Sequence, residues 1–141
     1  MKQMTLILML ITALIFTPAT VEGKKKKSYT KEDMYYLSHA MMAENGYMSK
    51  RCVRLTGIVI INRRDSKIFP NTIKGVILQP GQYGCVGSKY WNMEPTKRVK
   101  KIAKKLLKKG HKKSKKIVYQ SCFPQGSGTY DVVDTQYFCY L

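Results

Sequence analysis

Hydrophobic residues recur at helical spacing through the first part of the chain that follows its N-terminal segment. Met34, Leu37 and Met41 stand three and four positions apart, so they share one face of a predicted helix. Thr30 is the predicted N-cap of this helix, and Gly46 is its predicted C-terminal stop. This pattern predicts an amphipathic first helix whose apolar side faces a core.

The next hydrophobic stretch, residues 50–64, is ambiguous. Its run of β-branched residues suits a strand, whereas its length and pairs such as Leu55 and Val59 suit a buried helix. Periodicity alone does not decide between these alternatives, and we interpret the stretch as a helix partly from the family resemblance described below. A turn at residues 69–72 then caps a short predicted helix at 73–78.

The clearest helix opens at Pro95 and ends at Gly110. Its apolar positions fall at i, i+3, i+4, i+7 and i+8, and they are Val99, Ile102, Ala103, Leu106 and Leu107. Beyond it, residues 117–123, 129–133 and 137–141 are predicted to form three short strands. Helices first and a small antiparallel sheet last predict an α+β fold.

Residues 1–23 have the pattern of a secretory signal peptide, with Lys2, an apolar run at 4–16 and small residues near Gly23. The apolar run is shorter than the roughly 20 residues of a membrane-spanning helix, so we expect no stable span, although an uncleaved N-terminal anchor is the alternative. Residues 24–29 form a lysine-rich arm, and residues 30–141 form one predicted domain. We therefore expect a secreted protein.

The chain has 26 lysines and arginines against 8 acidic residues, a formal net charge of +18. Such a charge implies an anionic partner, which could be nucleic acid, anionic lipid or an acidic wall polymer such as teichoic acid. Export makes nucleic acid the least favoured of the three, and we expect none. The lysines between Lys97 and Lys116 are either a solvated helix face or a surface that attracts a polyanionic wall.

The four cysteines are even in number, and an exported chain permits disulfides. Cys122 and Cys139 lie on predicted neighbouring strands and are the favoured pair, with free thiols as the alternative. Neither the cysteines nor the two histidines have the spacing of metal ligands. We therefore expect no metal and no cofactor.

Acidic residues are scarce, and Glu44 is the only one beyond the signal peptide without a local structural explanation. Helix N-termini account for Glu32, Asp33 and Glu94 because negative charge is favoured there. Glu44 instead lies on the apolar face of the first helix, where partial desolvation favours the proton-carrying form of a carboxyl group. Such a group can protonate a leaving glycosidic oxygen. The alternative interpretation is an ordinary surface glutamate.

Three stretches then occur in a specific order. They are YL…AENG, which contains Glu44; TG…INR, which ends at Arg63; and FPNTIKGVILQPGQYGCV at residues 69–86. Together with QGSGTY at 125–130 and YFCY at 137–140, they resemble the SleB-like cell-wall hydrolases, which include the spore-cortex-lytic enzymes. The resemblance covers nearly all of the chain after the lysine-rich arm.

This resemblance implies a lysozyme-like helical core and cleavage of the β-1,4 bond after N-acetylmuramic acid in peptidoglycan. It places the catalytic acid at Glu44 and substrate binding at Gln79, Gln82 and Tyr83 of the QPGQY loop. Spore-cortex members are lytic transglycosylases, in which one glutamate acts as acid and then as base. A lysozyme that uses water usually needs a second carboxylate, and the sequence shows no evident candidate.

Two positions depart from the usual pattern of the resembled family. Many relatives have arginine after the A-E pair, where this chain has Asn45, and histidine before the final aromatic pair, where it has Gln136. The choice between vegetative wall and spore cortex therefore stays open. The resulting hypothesis is a secreted, cell-wall-associated peptidoglycan glycosidase. The alternative is a non-catalytic cationic protein that binds the wall or acts as an antimicrobial.

Overall fold

The computed structural model of the protein describes residues 29–110 and 116–141. In chain order its elements are α1 (Lys31–Asn45), α2 (Lys50–Asp65), α3 (Ile73–Ile77), α4 (Lys97–Lys109), β1 (Ile117–Ser121), β2 (Thr129–Val133) and β3 (Gln136–Tyr140). The predicted α+β class, with helices first and a small antiparallel sheet last, is confirmed. The predicted signal peptide and all but the last residue of the lysine-rich arm lie outside the described residues.

Side-chain caps determine where the helices begin. The hydroxyl of Thr30 accepts the backbone N–H of Asp33 at 3.0 Å, while the Asp33 carboxylate accepts the backbone N–H of Thr30 at 2.9 Å. The cap of α4 is Thr96, whose hydroxyl accepts the N–H of Val99 at 3.3 Å. The predicted start of this helix at Pro95 was therefore slightly early, since the proline lies just before the cap.

The ambiguous stretch forms the helix α2, which is buried along most of its length. It contacts the other three helices as well as β1 and β3, so tertiary burial overrides the strand preference of its β-branched residues. Gly57 permits the close approach of neighbouring helices. A Cβ at this position would lie 2.6 Å from Cδ1 of Leu106 in α4 and 2.8 Å from Sδ of Met41 in α1. The helix α2 is thus the centre of the core.

The sheet has the order β1-β3-β2, with both neighbours antiparallel to β3. The central strand carries Phe138, which is completely buried. All four cysteines lie within the described residues and are free thiols, so the favoured Cys122–Cys139 disulfide is wrong. Cys122 is exposed just beyond β1, whereas Cys139 is buried and its sulfur accepts the N–H of Gln125 at 3.5 Å.

Two acidic residues of the sheet region attach it to the start of α2. Asp131 accepts a hydrogen bond from Nε of Arg51 at 2.8 Å, and Asp134 accepts the backbone N–H of Ser49 at 2.9 Å. The hydrogen bonds with Ser49 hold the pKa of the Asp134 carboxyl below its usual value. None of the helices in the described ranges has both the length and the apolar character needed to cross a membrane.

Candidate active site

Glu44 lies in the last turn of α1 and is half-buried. It lines a small cleft of about 130 Å³ formed where α1 ends and the chain turns toward α2. The cleft is bounded by Met42, Ala43, Glu44, Asn45, Gly46, Tyr47, Met48, Tyr90 and Met93. Glu44 is the only acidic residue of this lining, and the lining contains no lysine or arginine.

Each of the other acidic residues in the described part of the chain is already engaged. Glu32 pairs with Lys74, Asp65 with Arg64, Glu94 with Lys100 and Asp131 with Arg51, while Asp33 caps α1 and Asp134 accepts from Ser49. Within the same ranges, no lysine, arginine or histidine forms an ion pair with Glu44. Its carboxylate can therefore exchange a proton without breaking an ion pair.

Two neutral donors stand beside this carboxylate. Burial, a hydrogen bond with Glu44 and the charge of Glu44 together raise the pKa of the Cys85 thiol to about 12, with burial the largest cause. Burial also raises the pKa of Tyr83 to about 12, where Arg63 acts to lower it and Glu44 to raise it. Both groups therefore keep their protons at neutral pH, and the Cys85 thiol can donate a hydrogen bond to the Glu44 carboxylate.

Arg63, at the end of α2, anchors the loop that carries Tyr83. Its Nε donates to the carbonyl oxygen of Val118 at 2.6 Å, and its Nη1 donates to Oε1 of Gln82 at 2.7 Å. The guanidinium carbon lies 5.1 Å from the ring centroid of Phe69 and 5.6 Å from that of Tyr83. Arg63 is buried and has no carboxylate partner within the described residues.

His39 is a buried residue of α1 that contacts Trp91. Its Nδ1 lies 2.8 Å from the carbonyl oxygen of Trp91, and its ring centroid lies 4.2 Å from that of Tyr35 and 5.7 Å from that of Trp91. The histidine thereby holds α1 against the segment that supplies Tyr90 and Met93 to the cleft.

Two exposed tyrosines of the cleft had not been singled out from the sequence. Tyr47 and Tyr90 are 72% and 48% exposed, although large aromatic side chains are usually buried more completely. Tyr47 follows directly on the AENG motif, and this position beside Glu44 is a sequence signal for a residue of the cleft. Tyr90 is distant in sequence, and only the fold brings it to Glu44.

The three predicted substrate-binding residues differ in their surroundings. Tyr83 interacts electrostatically with Glu44, while Gln82 is held by Arg63. Oε1 of Gln79 is buried without a hydrogen-bond partner. None of the three lines the 130 Å³ cleft itself, so their roles in binding stay predictions.

A larger cavity of about 780 Å³ lies elsewhere, between the end of α2 and the sheet. It is lined by Asn62, Asp65, Ser66, Lys116, Val118, Ser127, Tyr140 and Leu141. Its one acidic side chain, that of Asp65, is bound to Arg64 at 2.8 Å. The smaller cleft is the better candidate because acid catalysis needs a carboxyl group that can release and regain a proton. In the described ranges, no cluster of three or more His, Cys, Asp or Glu residues could hold a metal ion.

Comparison with known proteins agrees with this fold. The sequence model of the cell wall hydrolase family matches residues 49–121, about half of the chain. No curated protein sequence matches the chain significantly. The chain therefore belongs to the cell wall hydrolase family, in agreement with the resemblance of its motifs.

Two solved structures show the same fold. The catalytic domain of the Bacillus cereus SleB protein superposes with a TM-score of 0.69 at 20% identity, over 84% of this chain and 98% of that one. The catalytic domain of the germination-specific lytic transglycosylase SleB from Bacillus anthracis gives a TM-score of 0.67 at 20% identity, over 79% and 97%. The family match begins after Glu44, so it leaves the role of this residue to be argued from the cleft.

Proposed function

We propose that this cell wall hydrolase cleaves the β-1,4 bond after N-acetylmuramic acid in peptidoglycan as a lytic transglycosylase, with Glu44 as its single acid and base. The observation that supports this proposal is the location of Glu44 and its lack of an ion pair within the described residues. It is the one acidic residue of the described part of the chain that lines a cleft and forms no ion pair. The predicted signal peptide, residues 1–23, supports secretion to the wall.

The reaction needs only one carboxyl group. In the first step, Glu44 donates its proton to the glycosidic oxygen while the bond between this oxygen and C1 of the muramic acid breaks. The sugar carries the resulting positive charge as an oxocarbenium-like species. In the second step, the Glu44 carboxylate takes the proton of the C6 hydroxyl of the same sugar, and the C6 oxygen bonds to C1. The product is a 1,6-anhydro sugar, and Glu44 is protonated again.

The surroundings of Glu44 support this mechanism. No second carboxylate lines the cleft to activate water in the manner of a water-using glycosidase. The neutral Cys85 thiol can orient the carboxylate by hydrogen bonding to it. Tyr83, Gln82 and Gln79 would bind the glycan from the adjacent QPGQY loop.

The test is Glu44→Gln, which removes the proton donor with almost no change of shape. We expect purified peptidoglycan to be cleaved at least about a hundredfold more slowly, within the range found for general acids, with thermal unfolding unchanged. The matched control is Glu32→Gln on the same helix, because Glu32 is exposed and pairs only with Lys74. Mass spectrometry of peptidoglycan digested by the wild-type protein should show 1,6-anhydro sugar ends.

A wild-type rate for Glu44→Gln would refute the assignment of Glu44. Reducing ends in place of anhydro ends would keep Glu44 but refute the transglycosylase mechanism. The second candidate function, a non-catalytic cationic wall-binding or antimicrobial protein, is favoured by the positive surface of α4. It requires salt-sensitive binding without any new sugar ends.

A further inference from the structure

The solvent-facing side of α4 consists entirely of cations. Every residue of this helix that is not buried is a lysine or an arginine, and the helix contains no acidic residue. Within the described residues, Lys100 alone among these cations forms an ion pair, with Glu94. The buried residues of the helix are Val99, Ile102, Ala103, Leu106 and Leu107.

This arrangement opposes the stability of the helix. Lysines four positions apart, such as Lys97 with Lys101 and Lys104 with Lys108, repel each other along the same face. Cations in the first turn also face the positive end of the helix dipole. A surface that served solubility alone would mix both signs of charge, so solubility does not account for this face.

The apolar side of α4 is unavailable to a membrane. A helix that lies in a lipid surface buries its hydrophobic face among the acyl chains. In α4 that face packs into the core, with Val99 and Ala103 completely buried and Leu106 3% exposed. The cationic face can therefore make only electrostatic and hydrogen-bonding contacts, which suits a water-soluble polyanion.

Arg98 links this face to the candidate active site. Its Nη2 donates to the carbonyl oxygen of Gly46 at 2.6 Å and to that of Met48 at 3.0 Å. Gly46 and Met48 both line the cleft that contains Glu44. A polymer held on α4 would consequently lie beside the cleft.

We propose that the exposed face of α4 binds a phosphate-bearing anionic polymer linked to peptidoglycan, and thereby holds the enzyme against its substrate. The choice of a wall polymer over other polyanions rests on the proposed function, since the enzyme must reach glycan strands in the wall. Binding is due to release of counterions from the polymer and is therefore strongly dependent on salt.

The test variant carries Lys101→Gln, Lys104→Gln and Lys108→Gln together. All three lysines are exposed and lie outside the Glu44 cleft. Sedimentation with intact bacterial walls should show at least a tenfold weaker affinity and a shallower dependence of affinity on salt. The thermal midpoint should rise, because the substitutions relieve repulsion along the helix. Cleavage of short soluble glycan fragments should be unchanged.

The matched control removes three exposed lysines elsewhere, Lys31, Lys50 and Lys67. Each triple variant lowers the formal net charge from +18 to +15. A difference in wall affinity between the two variants therefore reports the position of the lysines and not the total charge. Walls from which phosphate-bearing polymers have been stripped should bind the wild type and both variants alike.

Equal wall binding by the two triple variants would overturn the proposal, as would undiminished wild-type binding to stripped walls. Preferential loss of binding to anionic lipid vesicles, with wall binding intact, would assign the face to membranes and also overturn it. Glu44→Gln separates this proposal from the catalytic one, since it should abolish cleavage while wall binding persists.

Discussion

Arg63→Met tests whether the buried guanidinium holds the QPGQY loop to the rest of the molecule. Methionine keeps an unbranched apolar stem of similar length, so contact with Phe69 and Tyr83 is largely retained. The substitution removes the hydrogen bonds to the carbonyl of Val118 at 2.6 Å and to Oε1 of Gln82 at 2.7 Å. The variant therefore isolates the polar role of Arg63.

The two lost hydrogen bonds contribute unequally to the free energy of unfolding. Val118 is buried at an irregularity of the ladder, since the register shifts between Ile117 and Tyr119. Its carbonyl is left without the Arg63 donor, which costs about 1–3 kcal/mol. Gln82 is exposed, so its side chain can form a hydrogen bond with water instead, and loss of its hydrogen bond with Arg63 costs about 0.5–1 kcal/mol.

Removing a buried charge that has no carboxylate partner offsets part of this cost. We therefore expect the free energy of unfolding to fall by about 1–3 kcal/mol in total. Released from Arg63, the loop should also bind glycan less well, which would lower kcat/KM on peptidoglycan by about tenfold or more.

Urea denaturation measures the stability change, provided that the slope with denaturant is the same for both proteins. The adjacent Arg64→Met is a matched control because Arg64 pairs only with the partly exposed Asp65, and it should change stability by about 0.5 kcal/mol or less. The reasoning fails if Arg63→Met unfolds at the same urea concentration as the wild type and retains its activity.

Three further outcomes concern the tyrosines of the cleft and the free thiols of the protein. Tyr47→Ala and Tyr90→Ala should each raise KM by about tenfold without lowering the thermal midpoint. The corresponding phenylalanine variants should resemble the wild type, because the aromatic ring is the part that contacts the sugar. Unchanged KM values for the alanine variants would contradict this role. Stability should decline as pH rises from about 9 toward 11–12. The reason is that burial in the folded protein raises the pKa of Cys52 to about 11 and that of Cys85 to about 12. The unfolded chain therefore releases these two protons at a lower pH than the folded protein does. Replacing both thiols by alanine should flatten that decline, and an equally steep one would exclude them as its cause. At pH 8 the exposed Cys122 should react with a thiol reagent well before Cys52 and Cys85, as peptide mapping would show.

Local chemistry in the sequence predicted most of the elements. The cap at Thr30 and the strand Thr129–Val133 were predicted correctly, because both depend on residues close in the chain. Glu44 could be singled out because acidic residues are so few that each could be examined for a local explanation. The structure agrees that the others have partners nearby or across the fold, but several of these partners, such as Lys74 for Glu32, are distant in sequence.

The amino-acid sequence alone indicates the order of the elements, the net charge and one carboxylate, Glu44, that has no local structural explanation. The tertiary structure decided the rest, since it depends on contacts between distant residues. Burial on nearly every side made α2 a helix despite its β-branched residues. Packing brought Tyr90 to the cleft of Glu44 and placed Arg63 between β1 and the QPGQY loop. No local pattern encodes these contacts, because each is set by how whole elements fill a shared core.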